Sequence, residues 1–304
     1  MNVLVLFSYG SLRTIDDIPS FYQDIYHGHA TREDIQQAID TYRWYGKADP
    51  LGTHTYRIGR ALQKKLELQT KEPWQFFVAN RHASPSIREV AEMCHAMKPK
   101  RILSLSLTPY DSITGNQAYV KEFKKHLQAK DNQLVLRHIR PFYDHRLFVE
   151  ACIDRVLTAK QWLSESSRTE AEIVFTMHSM PGLPEAHART IQQYEQLAKS
   201  IAKGANVSNY HLAYRSGNPE QRWLEPDVLD VVETLKNRNV PAVIFVETLS
   251  VIENMEVNQE ITKNAIEKAR QLGIEAVQSE YLNDSIDFIE ALENHVWEEC
   301  KDIL

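Results

Sequence analysis

Val174-Phe175-Thr176-Met177-His178-Ser179-Met180-Pro181 is the stretch from which the fold is read. An apolar run of strand length delivers a histidine at its carboxyl end. It then stops at proline, which has no N–H to donate to a ladder. Near-continuous apolar runs mark strands buried on both faces, as in parallel sheets covered by helices. In open α/β proteins, ligands bind beyond the carboxyl ends of such strands. A second stretch, Val246 to Glu260, reads as a strand turning into a helix with carboxylates on one face. A histidine and a carboxylate brought together at strand ends hold a metal, move protons, or do both.

Outward from these stretches, apolar strand candidates recur at 2–8, 74–79, 101–107, 133–139, 172–177, 209–215, 241–247 and 274–278. Amphipathic period-3.6 patterns fill 15–27, 31–45, 54–70, 85–97, 114–129, 143–165, 185–204, 225–238, 253–272 and 284–302. Alternation of this kind predicts an α/β fold, with parallel sheets flanked by helices. Ser84-Pro85 reads as an N-cap with proline at N1, and Glu225-Pro226-Asp227 opens the helix from Val228. The series restarts near 171, where the run 172–178 repeats the pattern of 2–9, an apolar strand ending in a polar functional side chain. Two similar Rossmann-like halves follow: 1–142 and 143–283, with the last helix, in 284–304, packing back on the first. A cleft lined by both sets of strand ends is the expected ligand site.

The 304 residues are 43% hydrophobic and 25% charged, in the range of globular proteins. The first residues lack the basic flank and length of a secretory signal, and no apolar run approaches the roughly 18–20 residues that span a bilayer. Cys94, Cys152 and Cys300 are far apart and odd in number, which suits a reducing cytoplasm and argues against an iron–sulfur cluster. A net charge of −6 without a basic block argues against a nucleic-acid partner. No glycine-rich phosphate loop and no nucleophile elbow is present.

His178 is the leading candidate for metal ligand or proton acceptor; the alternative is a histidine hydrogen-bonded at a strand end. Glu253, Glu256 and Glu260 fall at i, i+3 and i+7, so a continuous helix places them on one face. The alternative there is a solvated acidic first turn, favoured by the helix dipole. Tyr9 and His82 each end a strand, and each either serves a site or packs. His27 and His29 flank Gly28 as a loop pair without a third ligand.

In this order, these residues resemble the ferrochelatases, in particular the short coproporphyrin III type of Gram-positive bacteria. The likeness runs over nearly the whole chain. Tyr9-Gly10-Ser11-Leu12 is similar to the family's Tyr-Gly-Thr-Pro, and Gly46-Lys47-Ala48-Asp49-Pro50-Leu51 to its Gly-Gly-x-Ser-Pro-Leu. Thr108-Pro109-Tyr110-Asp111-Ser112 stands at its Ala-Pro-His/Tyr-Phe/Ser-Ser. Val174 to Pro181 resembles its apolar strand plus His-Ser-Leu-Pro. Trp223-Leu224-Glu225-Pro226-Asp227-Val228 resembles Trp-Leu-Gly-Pro-Asp-Val, and Glu253-Asn254-Met255-Glu256-Val257 resembles Asp/Glu-His-Leu-Glu-Val.

The resemblance implies two chelatase-type domains, each a four-stranded parallel sheet flanked by helices, with a porphyrin between them. It implies insertion of Fe²⁺ into a porphyrin in haem biosynthesis, coproporphyrin III being favoured over protoporphyrin IX. On this mapping His178 and Glu256 handle the metal and accept protons, and Glu260, a further expected metal ligand, continues the carboxylate path. Tyr9, Asp49, Ser112, Arg215 and Trp223 are the expected porphyrin contacts. No cofactor is expected beyond the porphyrin and its iron. The expected protein is a cytoplasmic monomer with no membrane segment, and it exchanges porphyrin with a transient pathway partner.

The chain also departs from the pattern. Arg215-Ser216-Gly217-Asn218 replaces Gln-Ser-Glu-Gly-Asn, and Glu247-Thr248-Leu249-Ser250-Val251 replaces a Pro-Val-Gly-Phe-Val-like run. Arg215 is therefore the cation expected to receive a porphyrin carboxylate. Other readings of the same residues are a haem or porphyrin carrier without turnover, and a chelatase for another metal or tetrapyrrole, or one that removes iron from haem.

Overall fold

Among the described residues, each of the eight apolar runs contributes a strand, and these strands lie parallel to their neighbours. The computed structural model describes residues 1–47, 49–127, 134–218 and 221–304. The expected strand at 133–139 and helix at 114–129 begin and end, respectively, outside those residues, as does Ala48 of the Gly46–Leu51 stretch.

The chain divides into two compact units. One comprises Met1–Pro141 with Asn283–Leu304, the other Phe142–Leu282. In the first, β1 (Asn2–Ser8), β2 (Trp74–Asn80), β3 (Arg101–Ser106) and β4 (Val135–His138) form a sheet of order β2-β1-β3-β4. In the second, β5 (Glu172–His178), β6 (Tyr210–Arg215), β7 (Ala242–Glu247) and β8 (Glu275–Gln278) repeat that order as β6-β5-β7-β8. Each order reverses beside its first strand, the switch point where open α/β sheets hold ligands.

The strand sequences explain the layering. In β1, Val3, Val5 and Phe7 pack with Ile87, Val90 and Ala91 of the helix Ile87–Met97. Leu4 and Leu6 point to the opposite face and are equally buried. Burial on both faces contributes about 1.5–3 kcal/mol for each large apolar side chain, which is why alternation of polar residues is absent here. The helix Pro50–Thr70 approaches that opposite face through Gly59, where a Cβ would collide with Phe76 and Leu6. The last helix, Ile286–Cys300, belongs to the first unit, tied down by Lys65–Glu293 and by His54 Nδ1 to Asp284 Oδ1 at 2.6 Å. In the second unit, Val174, Val243 and Phe245 pack with Val228, Val232 and Val257.

Helix starts correct the sequence reading in two places. Ser84-Pro85 is not the cap: the N-cap is Ser86, in a capping box with Glu89, and the Ser84–Pro85 peptide is cis. The helix expected at 54–70 begins at Pro50, because Asp49 Oδ1 accepts the Gly52 N–H at 2.8 Å and caps it. Asp227 caps the helix Val228–Asn237 as expected, accepting from Leu229 N at 2.8 Å.

Candidate functional site

Three neighbouring strands of the second unit end in ionisable side chains: His178 on β5, Arg215 on β6 and Glu247 on β7. Parallel register aligns His178 with Arg215, and Thr176 with Glu247. After β7 the chain turns through 248–254 into a helix whose N-cap, Asn254, accepts from Val257 N at 3.0 Å. That helix is α-helical over Met255–Val257, π-helical over Asn258–Ala265 and α-helical again over Ile266–Gln271. π turns are rare and concentrate at functional sites. Glu253 precedes the helix, so the expected three-carboxylate face reduces to Glu256 and Glu260.

His178 is held in a defined tautomer. Its Nδ1 lies 2.6 Å from the Ser179 carbonyl oxygen, which only accepts, so Nδ1 carries the hydrogen. In the neutral ring Nε2 then presents a lone pair, the form that ligates metals and takes protons. Glu256 Oε1 lies 3.5 Å from that nitrogen, within ion-pair reach but long for a hydrogen bond. The Trp223 ring sits beside the imidazole, with centroids 6.3 Å apart.

Behind this pair lies an arginine that is 1% exposed. Arg215 Nε donates to Glu247 Oε2 at 3.0 Å, and Nη1 donates to Glu256 Oε2 at 3.1 Å and Glu260 Oε2 at 2.9 Å. The Ser216 hydroxyl lies 2.7 and 2.8 Å from the two Glu260 oxygens and 3.3 Å from Glu256 Oε1. Glu247 is buried as well and also accepts from Thr176 Oγ1 at 2.9 Å. This corrects the expectation that Arg215 receives a substrate carboxylate: Nε and Nη1 are engaged by protein carboxylates, and Nη2 donates to Ser250 Oγ at 3.3 Å. Glu260 is likewise engaged by Arg215 and Ser216, where the sequence reading has it open to metal.

The electrostatics follow from these contacts. Burial pushes the His178 imidazole down, but the nearby charge of Glu256 outweighs that and raises it overall. Burial pushes Glu256 up, and the charges of His178 and Arg215 overcome it, holding the carboxyl far below the usual carboxylate range. Glu260 goes the other way: burial raises it, Arg215 opposes, and the neighbouring Glu256 charge tips it upward. Two carboxylates four residues apart therefore differ in basicity, the arrangement by which one fold separates proton-holding roles.

The remaining expected residues lie in the first unit. Tyr9 follows β1, is 47% exposed and packs its ring 4.6 Å from that of His82. His82 bonds Asp24 Oδ2 through Nδ1 at 2.6 Å, and burial nevertheless lowers its proton affinity. Ser112, in the loop after β3, is buried and lies 3.2 Å from the Thr114 hydroxyl. Asp49 is the helix cap described above. His27 and His29 are exposed in the turn after the helix Ile18–Ile25. A concavity of about 850 Å³ runs along the edge strand β2 and includes Arg13, Tyr56, Arg57 and Arg60; of the expected site residues, Asp49 alone lines it among those described.

Sequence reasoning missed Glu247, Ser216 and Ser250. The available signal was that three adjacent strands end in His, Arg and Glu, since the carboxyl edge is where such residues converge.

The ferrochelatase family model matches residues 6–300. A coproporphyrin III ferrochelatase of Bacillus subtilis (strain 168) is 27% identical over 297 residues, covering 96% of this chain and 95% of that protein. One from Corynebacterium glutamicum (strain R) is 26% identical over 312 residues, covering 96% and 84%. A ferrochelatase of Herpetosiphon aurantiacus is 24% identical over 298 residues, covering 97% and 98%. Among solved structures, SirB from Bacillus subtilis with Fe³⁺ superposes with a TM-score of 0.63 at 11% identity, covering 98% and 95%. A multi-domain Deinococcus radiodurans protein with structural similarity to chelatases gives 0.55 at 12%; the match takes in 96% of this chain but only 54% of that one. These two superpositions show a shared fold.

Proposed function

The chain belongs to the ferrochelatase family, and we propose that it inserts Fe²⁺ into a porphyrin, coproporphyrin III before protoporphyrin IX, with release of two protons. The observation that carries this reading is the His178–Glu256 pair: a fixed-tautomer imidazole whose Nε2 faces a carboxylate oxygen 3.5 Å away. The relatives named coproporphyrin III ferrochelatases support the choice of porphyrin.

Metallation must strip a hydrated cation and remove two pyrrole protons. Imidazole and carboxylate suit ferrous iron. Once it has passed the metal on, His178 Nε2 accepts the first proton, and the imidazolium so formed is stabilised by Glu256. The second proton passes by way of the Ser216 hydroxyl, which touches Glu256 and Glu260, to the more basic Glu260. Trp223 offers an aromatic face for the macrocycle beside His178. The reaction needs no cofactor beyond its two substrates, and we assign it to the cytoplasm. No helix among the described residues is long and apolar enough to cross a membrane.

The test is visible absorbance under anaerobic Fe²⁺ with each porphyrin in turn. Collapse of the free-base Q bands at a rate proportional to protein, faster with coproporphyrin III, is expected. Band shifts on binding without metallation overturn the reading.

A pH dependence follows. Because His178 is raised above its ordinary 6.5 and Glu256 lowered below 4.5, their attraction stabilises the native state above the unfolded carboxylate value. It fades as pH rises through the native imidazole value. Only the deprotonated ring accepts metal or proton, so the metallation rate rises with pH, with its midpoint above 6.5. Glu256→Gln should move the midpoint of its residual activity down, because the carboxylate charge that raises the imidazole is gone. An unmoved midpoint assigns the titration to another group.

A further inference from the structure

We infer that Arg215 is the resident cation of the carboxylate cluster: its guanidinium takes the place of a second metal ion and leaves a single metal position, at His178 Nε2 and Glu256 Oε1. The inference rests on the reading above for what the metal is, and on geometry alone for how many ions bind.

The carboxylate oxygens can be followed one by one. Glu247 Oε1 accepts from Leu249 N and Ser250 N at 3.1 and 3.0 Å, and its Oε2 from Thr176 Oγ1 and Arg215 Nε. Glu260 Oε2 accepts from Arg215 Nη1, and the single Ser216 hydroxyl hydrogen lies close to both Glu260 oxygens. Glu256 Oε2 accepts from Arg215 Nη1. Glu256 Oε1 remains, with Ser216 at 3.3 Å and His178 at 3.5 Å, both loose. Glu260 Oε1 has the Ser216 hydroxyl at 2.8 Å, so among the described residues the least engaged donors of the cluster are Glu256 Oε1 and the imidazole nitrogen facing it.

Three carboxylates with two hydroxyls around one point are an oxygen set for a hard divalent cation, and affinity there grows with carboxylate count. Arg215 fills that point instead. A guanidinium keeps its charge at every relevant pH and its planar fork meets several carboxylates at once. It also cannot dissociate. A cation to be delivered is therefore kept at the mouth, on two donors, and is not drawn into a cluster from which it would leave slowly. Arg215 is a positioning residue: it aims Glu256 Oε1 toward His178 by holding Oε2.

The experiment counts Mn²⁺ ions bound by the full-length chain without porphyrin, using the electron-paramagnetic-resonance signal of free Mn²⁺. The native chain should bind about one ion, weakened at least about 10-fold by His178→Ala. Glu260→Gln should leave the count unchanged. Arg215→Ala should bind an additional ion that disappears when Glu260→Gln is added, and Mn²⁺ should raise its melting temperature more than the native chain's. Loss of an ion in Glu260→Gln alone, no ion gained in Arg215→Ala, or no Mn²⁺ binding by the native chain overturns the inference. If Arg215→Ala does not fold, the single Glu260→Gln variant decides between one metal position and two. Absence of porphyrin metallation would overturn the proposed reaction while leaving these ion counts as they stand.

Discussion

Arg215→Met lowers the free energy of unfolding by about 3–5 kcal/mol, the range for removing one partner of a buried ion pair. The reason is Glu247. Its side chain is as buried as that of Arg215, and methionine leaves it facing only hydroxyl and backbone donors. Glu256 and Glu260 are better solvated and lose less. Urea denaturation measures the effect. The double variant Arg215→Met with Glu247→Gln should recover a large part of the loss, because no buried charge at Glu247 is then left without a counter-ion. A loss below about 1 kcal/mol, typical of exposed ion pairs, would mean that water reaches the cluster.

His178→Ala reduces kcat/KM for metallation by about 10³-fold or more. Removal of a positioned proton acceptor alone costs 10²–10⁴-fold, and here a metal-binding nitrogen goes with it. The fold should hold, because His178 is about one-third exposed and Glu256 keeps Arg215 as its partner. Unfolding midpoints should therefore change little while the rate collapses. Added imidazole should restore part of the rate, which a merely structural histidine would not allow. Undiminished turnover in His178→Ala would remove this residue from the mechanism.

These two residues show how unevenly the site is legible in the chain. His178 is visible because it interrupts its own strand: the run from Glu172 is apolar to Met177 and stops at Pro181. Glu256 is visible because it follows a strand end by a short loop and opens a helix. Arg215 is visible as a residue but not as a partner. Its contacts with Glu247, Glu256 and Glu260 lie 32 to 45 residues away in sequence and exist only once β6, β5 and β7 are in register. The π-helical stretch was hidden as well, since Asn258–Ala265 keeps enough apolar period to read as α-helix. Its wider turn is stabilised by packing of Ile261 and Ala265 into the core, not by local propensity.

Local pattern determined what local pattern can determine. Eight apolar runs of strand length, alternating with amphipathic segments, were enough for two similar halves with parallel sheets, because strands buried on both faces must be covered by helices. The carboxyl ends of those strands marked where chemistry would gather. Tertiary structure alone decided the charge partners. A buried guanidinium takes whichever carboxylates the register brings within about 3 Å, and no spacing along the chain encodes that distance. The same arginine that, as sequence, looked ready for a substrate carboxylate is, in three dimensions, already engaged by three of the protein's own and by the Ser250 hydroxyl.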